Sequence, residues 1–191
     1  MKPFLTRIRD RLSDGTPDQR LAIRGEYEIN TYCAAELRER WPNWESMSDY
    51  ARLRRLQSGA VAPEWSQTTS NQIVVGYLQN LTDYLDPNQT ATNIGATHLA
   101  VGTDGTEPAP SDTSLGNEVF RTAVGSTTDN GQDLATSTLI GKNDANGYTL
   151  REAGLVDDAS GTFINRALIT PREKTSETER TINASIFHQT L

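Results

Sequence analysis

From residue 94 onward the chain consists of short runs rich in Thr, Val, Ile and Phe, each closed by a cluster of turn residues. This rhythm restricts the fold more than any other feature of the sequence. The turn clusters are Asp104-Gly105, Pro108 to Asp112, Asp129-Asn130-Gly131, Asn143 to Gly147 and Asp157 to Gly161. Between and around them, residues 95–102, 118–125, 133–141, 147–154, 162–170 and 179–188 read as strands. Six short strands at this spacing predict an antiparallel β-sandwich or small barrel.

The first 86 residues have a different texture. Phe4, Leu5, Ile8 and Leu12 recur at helical spacing with arginines between them, so residues 3–13 are expected to form a short amphipathic helix ended by Asp14-Gly15. Helices this short are marginal alone in water, and this one needs a surface to dock on. Ala22 to Thr31 is ambiguous, because Ile23, Tyr27 and Ile29 alternate only partly like a strand. Residues 32–40 read as helix up to Trp41-Pro42, where the proline favours a break. Another Arg-rich helix is expected over 45–57. Ile73, Val74, Tyr77, Leu78, Leu81 and Leu85 form the cleanest helical face, closed by Asp86-Pro87-Asn88. The expected fold class is therefore α+β, with a helical docking region over 1–86 and a β-rich unit with its own core over 94–191.

Size and charge narrow the function. The 191 residues fit one domain with an appendage, or two very small domains. No run approaches the ~18 apolar residues of a membrane-spanning helix, and the N-terminus lacks the continuous apolar core of a secretory signal, so neither membrane insertion nor export is expected. A single cysteine, Cys33, can make neither an internal disulfide nor a Cys-based zinc site. A net charge of −7 argues against nucleic-acid binding, which draws its affinity from phosphate neutralisation. Of the 18 basic residues only Lys2, Lys142 and Lys174 are lysine, leaving 15 arginines. Ten of these lie in residues 1–55, and residues 56–120 contain no Lys or Arg. An acidic, Lys-poor chain suits a protein kept hydrated in high salt, and a GC-rich genome gives the same bias.

Few residues suggest chemistry. His98 and His188 are the two histidines; His98 sits in a strand beside Leu99 and reads as structural, His188 as solvated. Asn143 to Gly147 looks like part of a calcium loop, but Lys142 stands where the first aspartate belongs and Ala153 where the closing glutamate belongs. A hairpin with Asn-Gly at its tip explains those residues more simply. Cys33 reads as a buried small side chain. Neither a Gly-x-Ser-x-Gly elbow nor a Walker loop is present, and no acid pair stands out for glycoside hydrolysis. Asn80, Asn88 and Asn183 begin glycosylation sequons, a pattern common by chance in an Asn/Thr-rich chain. Trp41, Trp44, Tyr50 and Trp65 lie where arginines are dense, a combination enriched in protein–protein hot spots. No catalytic residue, metal or cofactor is expected.

Three segments in order resemble the phage tail-collar fibre family, the N-terminal domain by which tail fibres attach to a tailed virus particle. They are Thr97 to Gly105, Asp112 to Arg121 and Gly147 to Asp157, within a resemblance covering about residues 94–170. His98, Gly102, Gly105, Glu118, Arg121, Glu152 and Gly154 are its structural positions. Glycine at 102, 105 and 154 is expected to supply positive φ at strand exits. Arg151 and Glu152 point to opposite faces of a strand, so at most one is buried, and a carboxylate there is expected to accept turn amides.

The resemblance implies a non-enzymatic structural virion protein, a tail-fibre, baseplate or collar connector engaged in assembly and host attachment. It also suggests, with the composition, a tailed virus of a halophilic archaeon. Phe4, Leu5, Ile8 and Leu12, flanked by Arg7 and Arg11, are the expected docking interface. Expected partners are other virion proteins, further copies of the chain, and a host-surface glycan or protein. A capsid turret or decoration protein and a carbohydrate-binding module are the rival readings.

Overall fold

A computed structural model describes residues 21–88, 94–131 and 133–190. The expected docking residues Phe4, Leu5, Arg7, Ile8, Arg11 and Leu12 lie outside these. The described chain begins with strand β1 (Leu21–Cys33), helix α1 (Ala34–Arg40), a 3-10 turn (Trp44–Ser46) and helix α2 (Asp49–Gln57). Strands β2 (Trp65–Ser70) and β3 (Gln72–Ile73) and helix α3 (Val75–Leu85) follow. The remainder is all strand: β4 (His98–Gly102), β5 (Glu118–Ala123), β6 (Ser126–Asp129), β7 (Asp133–Ile140), β8 (Thr149–Asp157), β9 (Thr162–Glu173) and β10 (Thr178–Thr190).

The strands form two five-stranded sheets, ordered β2-β1-β10-β7-β6 and β3-β9-β8-β4-β5, with every pairing antiparallel. The expected sandwich is present. A uniformly helical N-terminal region is not: α1, α2 and α3 lie within it, but residues 21–33, 65–70 and 72–73 are strands. The reason is visible in β1. Glu26 and Glu28 point to solvent while Tyr27 and Ile29 point into the core, a period of two that no helix can satisfy. β1 then pairs along its whole length with β10, from Leu21 opposite Thr190 to Cys33 opposite Thr178, and lies between β10 and β2.

The core between the sheets contains Tyr27, Ile29, Leu99, Val101, Ile140, Leu150, Leu155, Ile164, Ile182 and Ile186. At ~25 cal/mol per Å² of apolar surface, the hydrophobic effect makes this layer the main source of stability. A second cluster covers the outer side of the first sheet, where Tyr32 and Leu139 meet Leu37, Trp44, Leu53 and Leu56 from the α1–α2 segment. The Ser48 side chain caps α2 by accepting from the Ala51 amide at 3.3 Å, and Leu53 of α2 packs tightly over Gly125 between β5 and β6. A third cluster, with Val74, Ala100, Leu115, Val156 and Phe163, lies on the outer side of the second sheet.

The hairpin reading of Asn143 to Gly147 is corrected. β7 belongs to one sheet and β8 to the other, so residues 141–148 carry the chain across the end of the sandwich. Asp144 Oδ2 accepts the Gly141 amide at 2.9 Å, and Asn146 Oδ1 accepts from Lys174 Nζ at 3.1 Å. Side chains that resembled cation ligands therefore hold the crossover in place.

Candidate functional site

The densest polar constellation lies on the outer side of the second sheet. Glu152 on β8 faces outward, opposite Gly102 of β4, yet is fully buried because residues 103–117 fold back over it. Its Oε1 accepts the amides of Asp104 at 3.2 Å and Asn117 at 2.9 Å, and its Oε2 accepts the amide of Gly116 at 3.0 Å. The carboxylate thus pins both ends of the returning segment. Arg151, its neighbour in sequence, is exposed and lies where the β8–β9 register shifts.

Arg166 on β9 completes the arrangement. Its Nε donates to Glu152 Oε2 at 2.8 Å, its NH1 to Asp112 Oδ2 at 3.0 Å and its NH2 to Asp104 Oδ2 at 3.0 Å. One planar guanidinium meets three carboxylates through three separate nitrogens in fixed geometry, where a lysine offers a single nitrogen. Burial alone would lower the Arg166 pKa, but the bond to Asp112 and the charge of Glu152 raise it above the ordinary value. The bonds from Thr106, and then Arg166, hold the Asp104 carboxyl below its usual range. Asp112 also accepts the Ala109 amide at 3.0 Å, so the middle of the segment is tied down as well.

The glycines here serve close approach. Positive φ among the described glycines occurs at Gly59, Gly131, Gly147 and Gly161, which corrects the expectation for Gly102, Gly105 and Gly154. A Cβ on Gly102 would overlap Glu152 Oε1 and the Asn117 carbonyl oxygen. One on Gly154 would stand 2.7 Å from both the Asn165 carbonyl oxygen and the Phe163 ring. Gly105 meets only the Arg151 side chain, at 3.7 Å.

Glu118 and Arg121 form a separate surface group on β5, the edge strand of the same sheet. Arg121 on β5 holds Glu118 in a two-pronged pair at 2.8 Å and reaches Asp158 Oδ1 at 2.8 Å. The bond to Glu118 raises the Arg121 pKa, and Arg121 in turn lowers that of Asp158. His98 opens β4 with Nδ1 3.1 Å from Thr97 Oγ1. The structure joins Gly102 to Glu152 and Glu118 to Arg121, and does not bring His98 into the Arg166 cluster.

A third group sits at the end of the sandwich near the crossover. Trp44 Nε1 donates to the buried Glu179 Oε1 at 2.7 Å, Arg52 stands 3.7 Å from Glu179 Oε2 and 6.0 Å from the Trp44 ring, and Trp41 stacks on Trp44 at 5.4 Å. Burial raises the Glu179 pKa. Arg180 NH2 donates to the Arg172 and Glu173 carbonyls at 3.3 and 2.7 Å, while burial and then Arg172 lower its pKa to about 10. The fully buried Lys174 bonds to Asn146 and to the Thr175 carbonyl at 2.8 Å, its pKa lowered to about 8, first by burial and then by Arg180.

Arg166, Asp104 and Asp112 were not singled out from the sequence as site residues. Asp104 and Asp112 lie in the quoted motifs, but they are 62 and 54 residues from Arg166, and no local pattern joins them.

In all three groups ionic side chains fix loops and crossovers to a two-sheet frame, which defines a structural β-domain. The family model of the phage tail-collar fibre protein, N-terminal, matches residues 85–191, more than half of the chain. The chain belongs to that family, and with it comes a structural role in the tail fibre of a phage, in the virion tail, among other virion proteins. No curated protein and no solved structure matches it. Among the described residues, no helix is long and apolar enough to cross a membrane.

Proposed function

We propose that the protein is a non-enzymatic connector that holds a fibre to the tail, at the baseplate or collar, and takes part in attachment to the host. The observation that carries this reading is the Arg166 cluster. Among the described residues, three carboxylates gathered round one point are the arrangement most like a catalytic set, and Arg166 binds all three. Glu152 spends both oxygens on backbone amides and Arg166, and the product of all these bonds is a fixed surface formed by residues 103–117. A connector needs such a surface: several copies, each making modest contacts, hold firmly when they bind together.

Purified particles dissociated into heads and tails, with each fraction probed by mass spectrometry, test the assignment. The chain is expected in the tail fraction; recovery with heads alone would replace this reading with the turret or decoration one. The Lys-poor, acidic composition supports a high-salt host, an archaeon in particular. The check is the thermal midpoint, expected to climb from dilute buffer to molar KCl; a flat or falling midpoint leaves genome composition as the account.

A further inference from the structure

Helix α3 leaves a face uncovered. It is held to the second sheet through Tyr77, which packs against the core, and Asn80, which donates to Thr162 Oγ1 at 3.0 Å. None of its residues is buried, and Val75, Leu78 and Leu85 are 53%, 38% and 81% exposed. At 100° per residue these three fall on one side of the helix, with Thr82 between them, and form a stripe without charge.

The surroundings select what can cover it. α3 itself carries Asp83 and is closed by Asp86, and between residues 56 and 120 the chain has no Lys or Arg. Two α3 faces from two copies would bring these acids together, so self-pairing is opposed by charge. The fitting occupant is apolar on one side and basic on its flanks. Residues 3–13 have that composition: Phe4, Leu5, Ile8 and Leu12 at helical spacing, with Arg7, Arg9 and Arg11 between them. They are also near. Ile23, close to the start of β1, lines one groove of about 590 Å³ with Ile73, and α3 begins two residues after Ile73. The eight steps from Ser13 to Leu21 span up to about 27 Å, more than the roughly 16 Å length of α3.

We propose that the exposed face of α3 is the seat of residues 3–13 of the same chain. Their apolar stripe lies on Val75, Leu78 and Leu85, and their arginines face the acidic surround of Asp83 and Asp86. Tethering gives this contact a high effective concentration, so it forms within one chain before a second copy or another protein can compete. The N-terminal stripe is then closed on its own chain rather than offered to a virion partner.

The test uses the full chain with Cys33→Ser, carrying Ile8→Cys and Leu78→Cys, oxidised at low concentration and resolved on a non-reducing gel. The expected product is a monomer with an internal disulfide in most molecules. A disulfide-linked dimer would assign the seat to a second copy, and absence of any disulfide would leave the face without this occupant; either overturns the proposal. A second readout avoids dependence on bond formation. In the Cys33→Ser chain, a lone Leu78→Cys thiol should react with a maleimide at least tenfold faster once Ile8→Asp is added, and an unchanged rate overturns the proposal.

Discussion

Tyr27 donates its hydroxyl proton to Asn165 Oδ1 at 2.6 Å, across the core from one sheet to the other. The same Asn165 oxygen accepts the Leu155 amide at 3.0 Å, so one buried amide joins β1, β8 and β9. Complete burial raises the Tyr27 pKa far above its ordinary value and keeps the hydroxyl protonated as a donor. Tyr27→Phe should cost about 1 kcal/mol, the net worth of one hydrogen bond, with the fold kept. Asn165→Ala leaves both Tyr27 and the Leu155 amide unsatisfied and should cost clearly more, about 2–4 kcal/mol. Urea midpoints of the two variants check the order; equal losses would mean that the bridge carries no weight.

Removing Arg166 strands the buried Glu152 carboxylate beneath residues 103–117 and leaves Asp104 and Asp112 of that segment without their cation. Arg166→Met keeps much of the apolar stem but deletes the charge, and breaking a buried ionic group in this way costs about 3–5 kcal/mol. Glu152→Gln keeps one acceptor oxygen, and its NH2 group then faces two N–H donors, so it should also loosen the segment. Hydrogen exchange at the Gly116 and Asn117 amides, both donated to Glu152, is the direct readout. Faster exchange there than in β1 is the expected result for Arg166→Met.

Lys174 makes stability depend on alkaline pH. The folded chain gives up the Lys174 proton near pH 8, whereas an unfolded lysine holds it to about 10.5. Between these values the unfolded state binds more protons, so stability rises with pH through that window, and below about 8 the cost of the buried charge is present in full. The gain is on the order of 2 kcal/mol, with Arg180 adding only near its upper end. Denaturant midpoints at pH 7 and 9.5 should rise for the wild type and stay level for Lys174→Met. Parallel behaviour of the two chains would contradict this account.

The parts of the fold legible in the sequence were those with local signals. The six predicted runs all contain strands, being short stretches rich in Thr and apolar residues between turn clusters. β1 was obscured because Asn30, Thr31 and Tyr32 are buried in succession, covered on one side by the core and on the other by α1 and α2. Where both faces are covered, alternation disappears. β6, Ser126–Asp129, carries no apolar residue and gave no signal. The Arg166 cluster was hidden for another reason: its members meet only after the sheet has formed and residues 103–117 have folded back over it. Burial of Glu152 rather than Arg151 depends on that same returning segment.

β1 is an integral strand of this sandwich, and expression of residues 94–191 alone tests this most directly. That fragment keeps nearly all of the region matched by the family model, but it leaves β10 without its thirteen-residue partner and Asn165 without Tyr27. Calorimetry should show no cooperative unfolding for the fragment, and a single cooperative transition for residues 21–191. A sharp transition for residues 94–191, with a midpoint near that of the longer chain, would show a β unit complete in itself and contradict the account.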